Sequence, residues 1–148
     1  MNTTRLQHIF TEKGYHVLPV KPGMVLEIHE KVGDGNNQRI WKFKGTVLRV
    51  KKPNQPDGTF LVRGEVARTI VEKIYPLSFD KFEKVLLVDQ NKTRKSKLYH
   101  LRDKVGKRAA KLKSIIKPEQ RNTDLYAATI ATKKAAAPTT QEETTTEE

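Results

Sequence analysis

The sequence predicts a mainly-β protein: a small barrel of SH3-like or OB-like type, with a short N-terminal helix, a basic and partly helical C-terminal segment, and a low-complexity tail. Three observations lead there. Between residues 24 and 89, five short runs alternate apolar and polar side chains with a period of two, as strands buried on one face do. Turn-forming clusters punctuate these runs every 8–14 residues, the spacing of small all-β domains. The second run changes register midway, which is how small barrels turn a corner. A chain of 148 residues holds one such domain with extensions and is too short for two well-cored domains.

Residues 1–22 read as a helix and a linker. Thr4 and Gln7 have capping-box spacing, Leu6, Ile9 and Phe10 share one helical face, and Gly14 is placed to end the helix. Pro19 and Pro22 then impose an extended connection. Residues 23–90 read as the barrel. Met24, Leu26 and Ile28 alternate with Glu27, His29 and Lys31 in a first strand, and residues 33–37 form a turn. The second run, Gln38 to Lys51, places Trp41, Phe43 and Val47 on one face at odd positions; past Gly45 the apolar residues 48 and 50 are even, which predicts a bulge or bend. A loop over 53–58 leads to strands over Thr59 to Val66, Arg68 to Tyr75 and Glu83 to Asp89.

Charge divides the chain differently. The formal net charge is +12, with 29 Lys and Arg against 17 Asp and Glu. Such an excess repels itself unless an anionic partner neutralises it, and nucleic acid is the usual partner. Residues 1–118 hold 26 basic and 11 acidic residues, whereas 119–148 hold 3 and 6 and are rich in Ala and Thr. The stretch from 119 to 148 therefore reads as a low-complexity, disordered tail, dispensable for folding, in which only 124–135 has the makings of a transient helix. Residues 91–118 read as a basic extension: 91–117 carry 11 Lys and Arg and one acid, Asp103. Leu98 and Leu101, three apart, can dock one face of a short helix on the barrel. That leaves Lys92, Arg94, Lys95, Lys97, Arg102, Lys104, Lys107, Arg108, Lys111 and Lys113 to meet phosphates, whose neutralisation releases counterions. Tyr99 and His100 are placed to stack on an unpaired base. A second basic set, Lys42, Lys44, Arg49, Lys51 and Lys52 with Arg63 and Arg68, follows the long strand; Lys42 and Lys44 alternate with Trp41 and Phe43 and so face away from the core. For any one of them, RNA contact and a solubilising outer face fit equally. Trp41 reads as a core residue before a stacking platform.

Signals for catalysis are missing. His8, His16, His29 and His100 are scattered without metal spacing, and Ser78, Ser96 and Ser114 lack a nucleophile setting. Gly33-Asp34-Gly35 is too short to cradle phosphate, and Glu27 and Glu30 read as surface or ion-pair residues. No enzyme activity, metal, cofactor, small-molecule substrate or membrane is expected. With no Cys, no apolar leader and no run of about 20 apolar residues, the expectation is a soluble cytoplasmic protein.

Several stretches together resemble one family, the bacterial large-subunit ribosomal protein L-nineteen. Residues 21–28, KPGMVLEI, are similar to its RPGD-x-V-x-V strand; residues 38–47, QRIWKFKGTV, to its ERIQ-x-F-x-G-x-V; and residues 59–63, TFLVR, to its TFTVR. Tyr75-Pro76-Leu77-Ser78 resembles FPLHSP. Residues 97–102, KLYHLR, followed by Gly106-Lys107 and Ala109-Ala110, resemble KLYYLR … GK-x-AR. The resemblance spans roughly residues 5–116. It departs at Gly64-Glu65-Val66-Ala67, which replaces a Gly-containing turn, in a shorter and less charged N-terminal helix, and in the tail after Pro118. It implies an SH3-like barrel in the large subunit that contacts large-subunit rRNA and joins a bridge to small-subunit rRNA, near the aminoacyl-tRNA site, with the L-three and L-fourteen proteins as neighbours. The residues by themselves also fit a free-standing SH3-like nucleic-acid-binding module of a translation or transcription factor.

Overall fold

The computed structural model describes residues 17–33, 37–104 and 113–136. The expected helix around Thr4 to Gly14, the turn residues 34–36 and the basic residues Lys107, Arg108 and Lys111 lie outside the described residues. Six strands, β1 (Met24–Val32), β2 (Arg39–Lys51), β3 (Thr59–Val66), β4 (Thr69–Pro76), β5 (Phe82–Gln90) and β6 (Thr123–Asp124), form one antiparallel sheet in the order β4-β3-β2-β1-β5-β6.

The period-two pattern decides which face is buried. Met24, Leu26 and Ile28 of β1, Phe43 and Val47 of β2, Phe60 and Val62 of β3, Tyr75 of β4, and Phe82, Val85 and Leu87 of β5 fill the inner face. Leu18 and Val20, from the extended connection, and Leu77 join them, with the Leu18 amide donating to the Leu77 carbonyl at 3.1 Å. The sheet curls around this core but is open. Among the described residues no ladder joins β4 to β5; these strands meet through the Tyr75 and Phe82 rings, with centroids 5.7 Å apart, and Phe60 of β3 also meets Phe82, at 6.4 Å. The Tyr75 hydroxyl is buried without a hydrogen-bond partner among the described residues, and burial, with the Glu30 carboxylate nearby, pushes its pKa up.

The register change in β2 is a bulge. Val47 pairs with Val62 and Arg49 with Leu61, so Leu48 is the extra residue, three positions beyond Gly45. Odd positions face the core before it, and Val50 packs on the core after it. The outward set changes accordingly: Lys42 and Lys44 before the bulge, Arg49 and Lys51 after it. Gly45 and Gly64 face each other across the β2–β3 ladder. A Cβ on Gly45 would stand 2.6 Å from the Arg63 carbonyl oxygen, and one on Gly64 would overlap that of Lys44, so this crossing admits no side chain.

Trp41 is not a core residue. Phe43 is the last buried residue toward the N-terminal end of β2, which runs on past the core there, and Trp41 is 44 % exposed. The Lys73 ammonium sits 4.2 Å from the Trp41 ring and also bonds Glu30 at 2.7 Å. Glu27 shares a hydrogen bond with His29 at 3.0 Å, so both carboxylates that the sequence marks as surface or ion-pair residues have polar side-chain partners.

The β3–β4 hairpin closes on Ala67 and Arg68, with φ of 49° and 67°. Two left-handed residues make the tight turn that matches strand twist, but Ala and Arg adopt it at a cost of roughly 1–2 kcal/mol each. Ala67→Gly is expected to stabilise the protein by about 1 kcal/mol, raising the thermal midpoint by roughly 2–4 °C. A calorimetric melt showing no rise would mean that the turn is unstrained.

The stretch that composition marks as low in complexity contains a short strand and a helix. Thr123 and Asp124 pair with Leu87 and Leu86, and helix α1 (Leu125–Ala136) follows. The Asp124 carboxylate accepts from the amides of Tyr126 at 3.0 Å and Ala127 at 3.3 Å, capping the helix. Leu125 and Tyr126 pack against the core, with Tyr126 edge-on to Phe82 at 6.2 Å.

Candidate nucleic-acid interface

The basic segment crosses the outer face of the sheet and is fastened there by a second, small apolar cluster. Leu48, turned outward at the bulge, packs with Leu98 and Leu101, and Leu61 lies beside them. The Leu98 amide donates to the Leu48 carbonyl at 2.9 Å, and Lys97 bridges to Arg49. Tyr99–Leu101 form a single 3-10 turn, which puts Leu98 and Leu101 on the sheet side as their spacing of three predicts. Upstream, the Asn91 side-chain and backbone amides both donate to the Gly23 carbonyl at 3.1 Å, and Lys92 takes the Lys113 carbonyl at 2.8 Å.

Cross-strand register then assembles a polar cluster. Arg63 stands opposite Glu72 in the β3–β4 ladder and bonds it at 3.1 Å. Arg102 reaches the same carboxylate with two donors, at 2.9 and 2.6 Å, while Arg63 also donates to the Arg102 carbonyl at 3.2 Å. The Arg102 guanidinium lies 4.6 Å from the Tyr99 ring, and Arg49 donates to the Tyr99 hydroxyl at 3.0 Å. These bonds, Arg102 first, hold the Glu72 carboxyl below the usual Glu range and push Arg102 up. Arg63 and Arg102 therefore spend much of their donor capacity inside the protein, where they clamp the segment to β4. The lone acid that organises them escapes a reading by composition. Its signal is the two-residue turn at Ala67-Arg68, which sets 63 opposite 72 once it is recognised.

Glu72 supplies a pH dependence of known sign. Its folded pKa is depressed, so its contribution is complete above the unfolded value of about 4.3 and is lost as pH falls through the lower folded value. Glu72→Gln is expected to lower the midpoint at neutral pH and to flatten the fall in stability below about pH 4.5. Parallel acid limbs for the two proteins would show that the clamp does not stabilise the fold.

The other cations expected at the site fall into three groups. Lys92, Arg94, Lys95, Lys97, His100, Lys104 and Lys113 are exposed on or beside the docked segment, and among the described residues none of them forms an ion pair. Lys42 and Lys44 share the outer face but lie farther along β2, opposite His29 and Glu27 of β1. Lys52, paired with Asp57, sits in the loop between β2 and β3, and Arg68 in the turn between β3 and β4. The structure thus brings Arg49, Lys51, Arg63, Lys97, Tyr99 and Arg102 together, keeps the other cations of 92–104 on the same docked segment, and does not bring Lys42, Lys44, Lys52 or Arg68 into that group. No group of His, Cys, Asp and Glu among the described residues could hold a metal ion.

These features define a small, mainly-β protein with one strongly cationic face. Comparison with known proteins places it further: a family model described as Ribosomal protein L19 matches residues 5–115, and the chain belongs to that family. A large ribosomal subunit protein bL19 from Clostridium botulinum is 39 % identical over 94 residues, which cover 64 % of this chain and 81 % of the relative. A protein of the same description from Amoebophilus asiaticus is 35 % identical over 107 residues, covering 72 % and 88 %.

Proposed function

We propose that this protein is a structural constituent of the bacterial large ribosomal subunit in the cytoplasm, and that its outer face binds large-subunit rRNA. The observation that carries the RNA contact is the docked run from Lys92 to Lys104, whose exposed cations other than Arg102 lack ion-pair partners among the described residues. Cations fixed in place by Leu98 and Leu101 meet a phosphate backbone with little further ordering. The finer reading follows the family: a bridge to small-subunit rRNA, proximity to the aminoacyl-tRNA site, and the L-three and L-fourteen proteins as neighbours. Lys42, Lys44, Arg49, Lys51, Lys52, Arg63, Arg68 and Tyr99 belong to the proposed surface, with Arg102 holding it in shape; Lys107, Arg108, Lys111 and Lys113 extend it along the chain. Tagged protein expressed in its host is expected to remain in the large subunit at one copy through a high-salt wash. Release by that wash, or recovery apart from ribosomes, would favour a free-standing nucleic-acid-binding module.

A further inference from the structure

Beside the docked segment the outer face carries a groove of about 530 Å³, within the roughly 300–1,000 Å³ of clefts that take small organic groups. Strand register builds it. Arg49, Leu61 and Ile74 form one row across β2, β3 and β4, and Lys51 and Thr59 form the next. The bulge at Leu48 is what turns Arg49 and Lys51 to this side. Tyr99, with the Arg102 guanidinium stacked on it, lines the groove from the docked segment. Its one acid, Glu72, is neutralised by Arg63 and Arg102, so Arg49 and Lys51 leave the groove positive.

We infer that this groove receives a single unpaired nucleotide of the bound RNA. The base lies against Ile74, Leu61 and the Tyr99–Arg102 stack, and Lys51 and Arg49 face its phosphate. Three features select this occupant over an extended acidic peptide. The volume suits one residue-sized group. The stack offers planar surfaces, which a base uses and a carboxylate does not. Ile74 is 70 % exposed on the outer face of β4, an apolar group that gains from being covered. The inference rests on the RNA-binding reading and narrows it from a backbone-tracking surface to one that also holds a base.

The test compares two RNA hairpins, one fully paired and one identical except for a single bulged adenosine, on the full-length chain and on Ile74→Ser and Tyr99→Leu. The bulged hairpin is expected to bind roughly tenfold tighter than the paired one and to shift the Leu61 and Ile74 methyl resonances, with both variants losing most of that ratio. Because the readout is a ratio, a general change in affinity does not mimic it. Equal affinity for the two hairpins, or a ratio untouched in both variants, overturns the inference and leaves RNA binding standing. Binding of neither hairpin overturns both. Methyl shifts with an oligoglutamate peptide and with neither hairpin overturn it in favour of a protein partner.

Discussion

Leu98→Ala is expected to lower the stability of the free protein by about 2–5 kcal/mol and to detach the basic segment from the sheet. Leu98 is 2 % exposed and packs on Leu48 and Leu101, so truncation removes apolar contact and leaves a cavity at the centre of a small cluster. Few neighbours can relax into it, because Leu48 is held by the bulge and Leu101 by the 3-10 turn. The Leu98 amide bond to the Leu48 carbonyl loses its shielding from water at the same time. The effect extends to binding: cations from Arg94 to Lys104 no longer share a fixed surface, and ordering them on RNA costs conformational entropy. Lys95→Ala, a change at an exposed position, is expected to alter stability by less than about 0.5 kcal/mol. Melts and amide exchange on both variants check this. A Leu98→Ala protein that melts like the parent would mean that the segment is not docked in the free protein.

Ending the chain after Pro118 is expected to cost about 2–3 kcal/mol. The cut removes β6, α1 and the half-buried Leu125 and Tyr126, and it uncovers Phe82 and Leu87 on the outermost long strand. Composition alone argues the opposite, since few apolar residues follow Pro118. The difference lies in two side chains: an aromatic and a leucine directly after a capping Asp seat the helix on β5, whatever the Ala and Thr beyond them. A chain ended after Ala136 should melt like the full chain, and a chain ended after Pro118 several degrees lower. Equal midpoints for all three would restore the whole stretch to a dispensable tail.

The strands were legible because period-two burial writes them directly into the sequence, and the five long runs appear within a residue or two of their expected ends. The bulge was legible as a change of parity, although it falls at Leu48 and not beside Gly45. Trp41 was misplaced because parity reports a face and not where the core stops: residues 39–42 of β2 run on past Phe43, the last buried residue at that end. Closure of the barrel was not legible either, since strand lengths do not say whether the two edges meet by hydrogen bonds or, as here, by aromatic rings. At the site, the spacing of Leu98 and Leu101 gave the docking face. Counting charges did not reveal that Glu72 occupies Arg102 and Arg63, because that depends on a hairpin register set by two unusual turn residues.

On the proposed function, the cations of the docked segment form a surface ready to meet RNA phosphates. The most direct test is the salt dependence of affinity for a large-subunit rRNA fragment, measured for the parent protein and for the Arg94→Ala/Lys95→Ala/Lys97→Ala variant. With about six phosphates neutralised, log K should fall with log salt at a slope of roughly −4 to −5. The triple variant should show a slope shallower by roughly 2–3 and an unchanged melting midpoint. The same slope in both proteins would place the RNA-binding surface elsewhere on the molecule.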